Sequence, residues 1–457
     1  MKYTMKKIIS LVLALLMLLT CIPALAETFP AEGYDGSEVT IKFRHVITKD
    51  DQLALVNDAI AEFNKIYPNI HVELENVGGS YNGILDTSKT ELPAGNEPNI
   101  VFCYMDHIAD YNNQAGAVQV LDELIDHPVV GLTEEQKADF IPGYYKEGAS
   151  FGDGKMYALP FYKSTEVLYY NKTFFDENNL TVPATWDEME AVCAKIKEIN
   201  PNSIPLGYDS EGNWFITMTE QLGSPYTSAT EPHYLFDNDV NKDFIKKFND
   251  WYNKGYVTTA GLYGGYTSGL FTSSEEMRSY MSIGSSAGAT HQRPQKGEDG
   301  NYPFEVGIAP MPQVDPANAK AISQGPSVCI FAYKKPVQEI LASWLLVKYL
   351  TTDVTFQARF SIASGYMPAI KSVLDNAEYQ EYLAKADGGD NVAVQSVKVG
   401  MSITDAYFTS PVFNGSSAAR NQVTALLKKC LGMSPDELAS GIDAAFQDAI
   451  DECEYAN

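Results

Sequence analysis

Short strand-like segments separated by helical segments run the length of this chain, and that alternation leaves few architectures open. Residues 39–43 alternate polar and apolar as a strand does. Leu53, Val56, Ile60 and Phe63 then recur at spacings of three and four, one face of a helix, with Pro68 past its end. Residues 70–74 alternate again, a helical stretch covers 83–92, and Ile100-Val101-Phe102 reads as an apolar strand. Strands separated by helices of about ten to fifteen residues are βαβ units, whose parallel sheet is covered by helices on both faces. The fold class is therefore α/β. The alternation restarts at Tyr157 and runs through Val167-Leu168-Tyr169-Tyr170 to a helix opened by Thr185. Glu188 completes a capping box there, and Trp186 in the first turn is expected in the core. A section rich in Tyr, Gly, Ser and Asn covers 200–274 and carries a helix at 241–254. Beyond it come a strand at 306, a proline-containing loop, a strand at 328–333 and helices at 339–350, 422–430 and 435–453. No unit repeats along the chain, so a solenoid is not expected.

The 457 residues carry a formal charge of −26, from 59 acidic and 33 basic side chains. Such a surface repels phosphate backbones, so no nucleic-acid partner is expected. Lys2, Lys6 and Lys7 precede a largely apolar run over 8–19 and then Pro23-Ala24-Leu25-Ala26, whose small residues at 24 and 26 suit signal peptidase. The run is shorter than the roughly 20 residues that span a bilayer. Residues 1–26 are read as a signal peptide cleaved near Ala26, which makes the protein exported and extracytoplasmic, in a periplasm or at a cell surface. The alternative is a lipid anchor at Cys21. Thr20 stands where bacterial lipoproteins usually carry Gly, Ala or Ser, so cleavage after Ala26 is preferred. Loss of Cys21 leaves Cys103, Cys193, Cys329, Cys430 and Cys453, an odd set with no CxxC pair. Most sit in apolar contexts typical of buried thiols, and Cys430 and Cys453 are the two that could pair.

Signatures of metal-dependent hydrolysis and of nucleotide binding are missing. HExxH, GxxxxGK(S/T) and GxGxxG do not occur. The histidines, at 45, 71, 107, 127, 233 and 291, include no pair at helical ligand spacing. Asp237-Asn238-Asp239 begins like a calcium loop, but Lys242 and Phe248 replace its glycine and its glutamate, so the segment is read as an acidic turn capping the next helix. No catalytic residue, metal or cofactor is expected.

What the chain has instead is 28 Tyr and 21 Phe, with small hydroxyl residues in the loops. Sugars and polyols present apolar C–H faces and hydroxyl edges, which call for aromatic platforms and planar hydrogen-bonding groups. Specific stretches sharpen this. "NKIYPNI" (64–70), "ELPAGNEPNIVF" (91–102), "GKMYALPFYKSTEVLYYNKTFF" (154–175) and "PATWDEM" (183–189) are followed by "FTSSEEMRSYMSIGSSAG" (271–288), "SWLLVKYLTT" (343–352) and "SGYMPA" (364–369). In that order they resemble the extracellular solute-binding proteins of ABC transporters, family 1, which carry sugars and related polyols. "PFYKSTEVLYYNK" is most similar to the branch that binds glycerol 3-phosphate and glycerophosphodiesters.

The resemblance implies a periplasmic-binding-protein-like fold of class II: two α/β lobes joined by a hinge, with the ligand in the cleft between them. One lobe takes 37–150 and 312–367, the other 151–311 and 368–457. Carried over residue by residue, the branch's ligand contacts fall on Tyr81, Ser164, Trp214, Ser286, Gly325, Tyr366 and Arg420. The branch has a glutamate where this chain places Met105, with Asp106 adjacent, and a second tryptophan that is not found here. A neutral sugar or oligosaccharide is therefore expected first, and glycerol 3-phosphate or a glycerophosphodiester second. From the residues themselves, Trp214 lies in the polar run Glu211-Gly212-Asn213, where stacking on a ligand is expected. Arg420 follows a run of small residues at a helix start, placed to grip hydroxyls or phosphate. His45 ends the first strand at the sheet edge where open α/β sheets bind ligands.

The expected function is the substrate-binding component of an ABC importer for a carbohydrate or polyol. Its partners are that ligand and the permease subunits of the membrane, and the chain itself is expected to be monomeric. The rival from another class is a secreted glycan hydrolase, which needs a buried carboxylate pair facing the cleft near Trp214. A sensor subunit shares the fold.

Overall fold

The computed structural model describes residues 29–77, 80–114, 116–386 and 391–456. The expected signal peptide, with Cys21, lies outside the described residues.

Two five-stranded sheets organise the chain. In the first, Val39–His45 lies between Ile70–Asn76 and Ile100–Cys103, parallel to both, while Ser327–Ile330 and Leu159–Pro160 add antiparallel pairings. In the second, the order is Val306–Pro310, Glu166–Asn171, Met281–Ser285, Leu206–Tyr208, Val257–Thr259, with two antiparallel pairings followed by two parallel ones. Strand and helix alternation predicts parallel pairing throughout, and both sheets are mixed. The reason is that a parallel neighbour needs a crossover helix, whereas a strand arriving straight from the other sheet is free to enter reversed.

Each sheet has its own apolar core. Ile41, Phe43, Phe102, Phe161 and Trp344 belong to the first, and Leu168, Trp186, Phe248 and Phe446 to the second. Boundaries at 150/151 and 367/368 do not match this division. Met156 to Tyr162, and Ile370, Tyr379 and Val397, pack in the first core. The chain leaves that core only after Lys163, because Tyr162–Lys163 pairs with Met367–Pro368 and holds both segments there. Helix Val392–Ser402 gives Val394 and Val397 to the first core and Val392 to a small cluster with Val167 and Tyr169, so it spans both halves.

Local signals behave as their chemistry requires. Thr185 and Glu188 form a reciprocal capping box on Trp186–Ile199, and Trp186 is buried with its indole N–H donated to Gln221. Asn238 caps Asp239–Asn253, and Lys242 bridges Asp237 and Asp443 where a calcium loop has its glycine. Cys103, Cys193, Cys329, Cys430 and Cys453 are all free and buried, so Cys430 and Cys453 are not joined. Among the described residues, no helix is long and apolar enough to cross a membrane.

Trp214 is a correction. The polar run before it is not a loop but a helix start. Ser210 accepts from the Asn213 N–H, Glu211 accepts from Thr259 and Gly261, and the helix Glu211–Leu222 follows. Trp214 is 0% exposed, stacked on Tyr208 at 4.7 Å and against Phe248 at 4.3 Å. It fills the second core and offers no face to a ligand. Trp214→Ala therefore empties a core site, and urea unfolding should show a loss of about 3–5 kcal/mol. A loss below about 1 kcal/mol would contradict its placement.

Candidate ligand-binding site

Between the two cores lies a cavity of about 720 Å³. Its floor is the place where the chain crosses from one sheet to the other. Ser164 and Gln324 exchange backbone hydrogen bonds of 2.9 Å in both directions, and beside them Ala321–Ile322 pairs with Tyr407–Phe408. Gly325 turns there with φ +90°, and a Cβ on it would stand 2.5 Å from the Tyr162 carbonyl oxygen. Only glycine meets both demands.

Under this floor Lys163 is completely buried. Its Nζ donates to Glu147 Oε2 at 2.6 Å, to the Gly325 carbonyl at 3.1 Å and to Ser327 Oγ at 3.1 Å. Glu147 Oε2 also accepts from Ser323 at 3.1 Å. One buried ion pair thus ties helix Pro142–Glu147, two crossing segments and the first sheet together.

The first wall is carried by the carboxyl end of strand Ile100–Cys103 and the helix Met105–Tyr111. Tyr104, Asp106 and His107 line the cavity there, with Asp86, Lys89 and Asp110 alongside. Lys89 and Asp110 approach at 3.5 Å, whereas among the described residues Asp106 is engaged only by the neighbouring His107 N–H. Burial pushes the His107 imidazole below its usual range, which favours the neutral ring. Tyr366 joins this wall, its ring 4.4 Å from that of Tyr162.

The second wall is two packed helices. Gly212 has no side chain where a Cβ would stand 2.4 Å from Thr424 Oγ1, so Glu211–Leu222 lies close against Ser416–Leu431. That contact brings Asn213 to Arg420, whose Nη1 donates to Asn213 Oδ1 at 2.7 Å. Ser210, Asn213 and Ile216 face the cavity at helical spacing, and Ser417, Arg420 and Asn421 face it from the other helix. No carboxylate among the described residues forms an ion pair with Arg420.

Of the residues singled out in the sequence, the structure brings Asp106, Ser164, Gly325, Tyr366 and Arg420 to one cavity. It leaves out Tyr81, Trp214, Ser286 and His45. The Tyr81 hydroxyl is engaged by Tyr162 at 3.0 Å, and its ring stands edge-on to Tyr104, which takes the lining position instead. Ser286 is buried, its Oγ accepting from the Thr165 N–H, while Ser285 one step earlier lines the cavity. His45 is 2% exposed and its Nδ1 accepts from the Ile47 N–H, closing the turn after the strand. Asn213, His107, Tyr104 and Tyr226 went unnoticed in the sequence. For Asn213 a signal existed, because Ser210 and Asn213 at i and i+3 share a helix face once Ser210 is read as the cap.

Relatives extend the likeness over most of the chain. The sn-glycerol-3-phosphate-binding periplasmic protein UgpB of Yersinia pestis bv. Antiqua (strain Antiqua) is 25% identical over 391 residues, 80% of this chain and 82% of that one. A multiple sugar-binding protein of Streptococcus mutans is 22% identical over 364 residues, covering 77% of this chain and 80% of its own. The crystal structure of UgpB from Mycobacterium tuberculosis in complex with glycerophosphocholine superposes with TM-score 0.70 at 19% identity, over 90% of this chain and 98% of that one, a likeness of fold. The family model for the bacterial extracellular solute-binding protein matches residues 58–386, most of the chain, and the protein belongs to that family.

Proposed function

We propose that the protein is the extracytoplasmic substrate-binding component of an ABC importer, capturing a neutral carbohydrate or polyol in this cleft and delivering it to the permease subunits. The observation that carries the reading is a set of polar atoms left without partners. His107 Nδ1, Ser150 Oγ, Tyr226 OH and Ser417 Oγ are buried, lack a hydrogen-bond partner among the described residues, and all belong to residues lining the cavity. A buried polar group without a partner costs about 1–3 kcal/mol. A hydroxyl-rich guest bridging the walls satisfies groups on both at once, which favours the closed arrangement by the difference in affinity between open and closed forms.

Charge argues for a neutral guest. Asp86, Asp106, Asp110 and Glu147 line the cavity against Arg420 and Lys89, and Lys89 is engaged by Asp110. A phosphate dianion would meet Arg420 on one wall and uncompensated carboxylates on the other. Glycerol 3-phosphate or a glycerophosphodiester is the second reading, favoured by the absence of an ion-pair partner for Arg420 and by the binding named for two of the relatives. A glycan hydrolase gains no support. Near Trp214, Asp209 is held by Thr267, Glu211 by Thr259 and Gly261, and Glu166 by Tyr208 and Asn213, and none of these carboxylates lines the cavity. Export by the signal sequence, with cleavage near Ala26, completes the proposal.

A thermal-shift screen against maltotriose, smaller sugars, polyols and sn-glycerol 3-phosphate separates these readings. A neutral saccharide at 100 times its Kd should add about 2.7 kcal/mol of stability. Stabilisation by glycerol 3-phosphate alone would overturn the neutral-ligand reading, and turnover of a glycan would overturn the transport reading. Arg420→Met should weaken saccharide binding roughly 10- to 100-fold, the effect of losing a hydrogen bond to a charged group, as read by calorimetric titration. Unchanged affinity would remove Arg420 from the site.

A further inference from the structure

Beneath the second wall sits a carboxylate that does not line the cavity. Glu166, at the start of strand Glu166–Asn171, is 1% exposed. Its Oε2 accepts from the Tyr208 hydroxyl at 2.6 Å and its Oε1 from Asn213 Nδ2 at 3.0 Å. Asn213 Oδ1 in turn accepts from Arg420 Nη1 at 2.7 Å. Chemistry fixes the direction of this chain. A guanidinium only donates, so the amide oxygen must face it, and the amide nitrogen then needs an acceptor on the far side. Glu166 is that acceptor.

We propose that Glu166 is a positioning residue for ligand binding, holding the Arg420 guanidinium against the cleft through Asn213 and leaving its remaining nitrogens to the ligand. The inference rests on the reading that Arg420 touches the ligand. The interposed amide is the informative feature. A carboxylate paired directly with Arg420 would engage the guanidinium on two nitrogens, the fork-to-fork geometry such pairs favour. With Asn213 between them, Nη1 is the one guanidinium nitrogen engaged among the described residues, while the buried negative charge still acts on the cation. Tyr208 supplies the second hydrogen bond that an ionised, desolvated carboxylate requires.

The arrangement carries a pH signature. Burial pushes the Glu166 carboxyl up to about 7, against the lowering effect of the bonds from Tyr208 and Asn213; Asp209 raises it and Arg420 lowers it. On the neighbouring strand Ser285 pairs with Glu166 and brings no charge. The other titratable groups whose charge meets that of Arg420 are Tyr104, His107 and Tyr226, with Asp106 and Glu147 acting on Tyr104 beside them. His107 is held below its ordinary 6.5 by burial, so its titration lies on the acid side of that of Glu166. A carboxyl that holds its proton more tightly folded than unfolded stabilises the native state at acid pH. That contribution is lost as pH rises from the ordinary 4.5 through about 7.

Side-chain NMR of the full, unliganded chain labelled with ¹⁵N-arginine tests the proposal, with Arg420→Lys assigning the signal. In the wild type the Arg420 Nε–Hε signal should move with pH about a midpoint near 7. In Glu166→Gln, which keeps an acceptor for Asn213 but cannot ionise, the movement should vanish. It should diminish in Asn213→Ala, which cuts the hydrogen-bonded link and leaves only the through-space charge of Glu166 to act on Arg420. Wild-type stability relative to Glu166→Gln should fall across the same interval. Persistence of the Arg420 titration in Glu166→Gln, or an undiminished one in Asn213→Ala, would overturn the proposal. Because this readout needs no ligand, a failed saccharide screen beside a Glu166-dependent signal would sink the neutral-saccharide reading alone, and the opposite pair of results would sink the positioning role alone.

Discussion

The interaction on which the rest depends is the buried contact of Lys163 with Glu147. Taking both charges out of water costs several kcal/mol per ion, and the pair repays that only when its remaining hydrogen-bonding capacity is filled. Here it is filled by the Gly325 carbonyl, Ser327 and Ser323. The consequence is geometric. Gly325 and Ser323 lie on a segment that crosses between the two sheets and Ser327 opens a strand of the first, so the ion pair defines where one half ends and the cleft floor begins. Removing one partner would strand a charge in the interior, whereas nothing apolar of that shape could make the same set of bonds. Gly325 belongs to the same knot, since its positive φ and its close approach to Tyr162 let the carbonyl turn down to Lys163.

Above that floor the two walls differ in kind. The first is a strand end and a short helix presenting tyrosine rings, a neutral imidazole and carboxylates. The second is a pair of long helices whose close packing at Gly212 brings an amide to a guanidinium. A surface as acidic as this one has many carboxylates that could have neutralised Arg420 directly. Instead the buried carboxylate of Glu166 is held one amide away. Cation, unpartnered hydroxyls and aromatic rings are thereby gathered into one cavity, the combination that grips a molecule with hydroxyl edges and C–H faces.

Much of the fold was legible because it rests on periodicity and local chemistry. The spacing of Leu53, Val56, Ile60 and Phe63, the Thr185–Glu188 capping box and the acidic turn at Asn238 each describe interactions complete within a few residues. Strand direction was not legible, because it is decided by which segments cross between sheets. The site was legible in part for the same reason. Arg420 carries a local constraint, a helix start, whereas Gly325 was reached through the family resemblance and its left-handed turn shows only in the structure. Trp214 misled because polar neighbours look like a loop whether they meet solvent or cap a helix, and Ser286 missed the cavity by one residue because adjacent residues at a strand end point opposite ways. Glu166 gave no signal at all. Its role exists only once Tyr208 and Asn213, from one strand-to-helix turn, and Arg420, from a helix far along the chain, converge on it.

The central claim is that one small guest is held simultaneously by both walls. Hydrogen exchange with and without a saturating saccharide tests it most directly. Residues 104–107 on one wall and 416–421 on the other should both exchange more slowly in the complex, with the two crossing segments at 163–166 and 322–325 protected alongside them. Protection confined to a single wall, or slowed exchange spread evenly through one core with the cleft unchanged, would contradict the account.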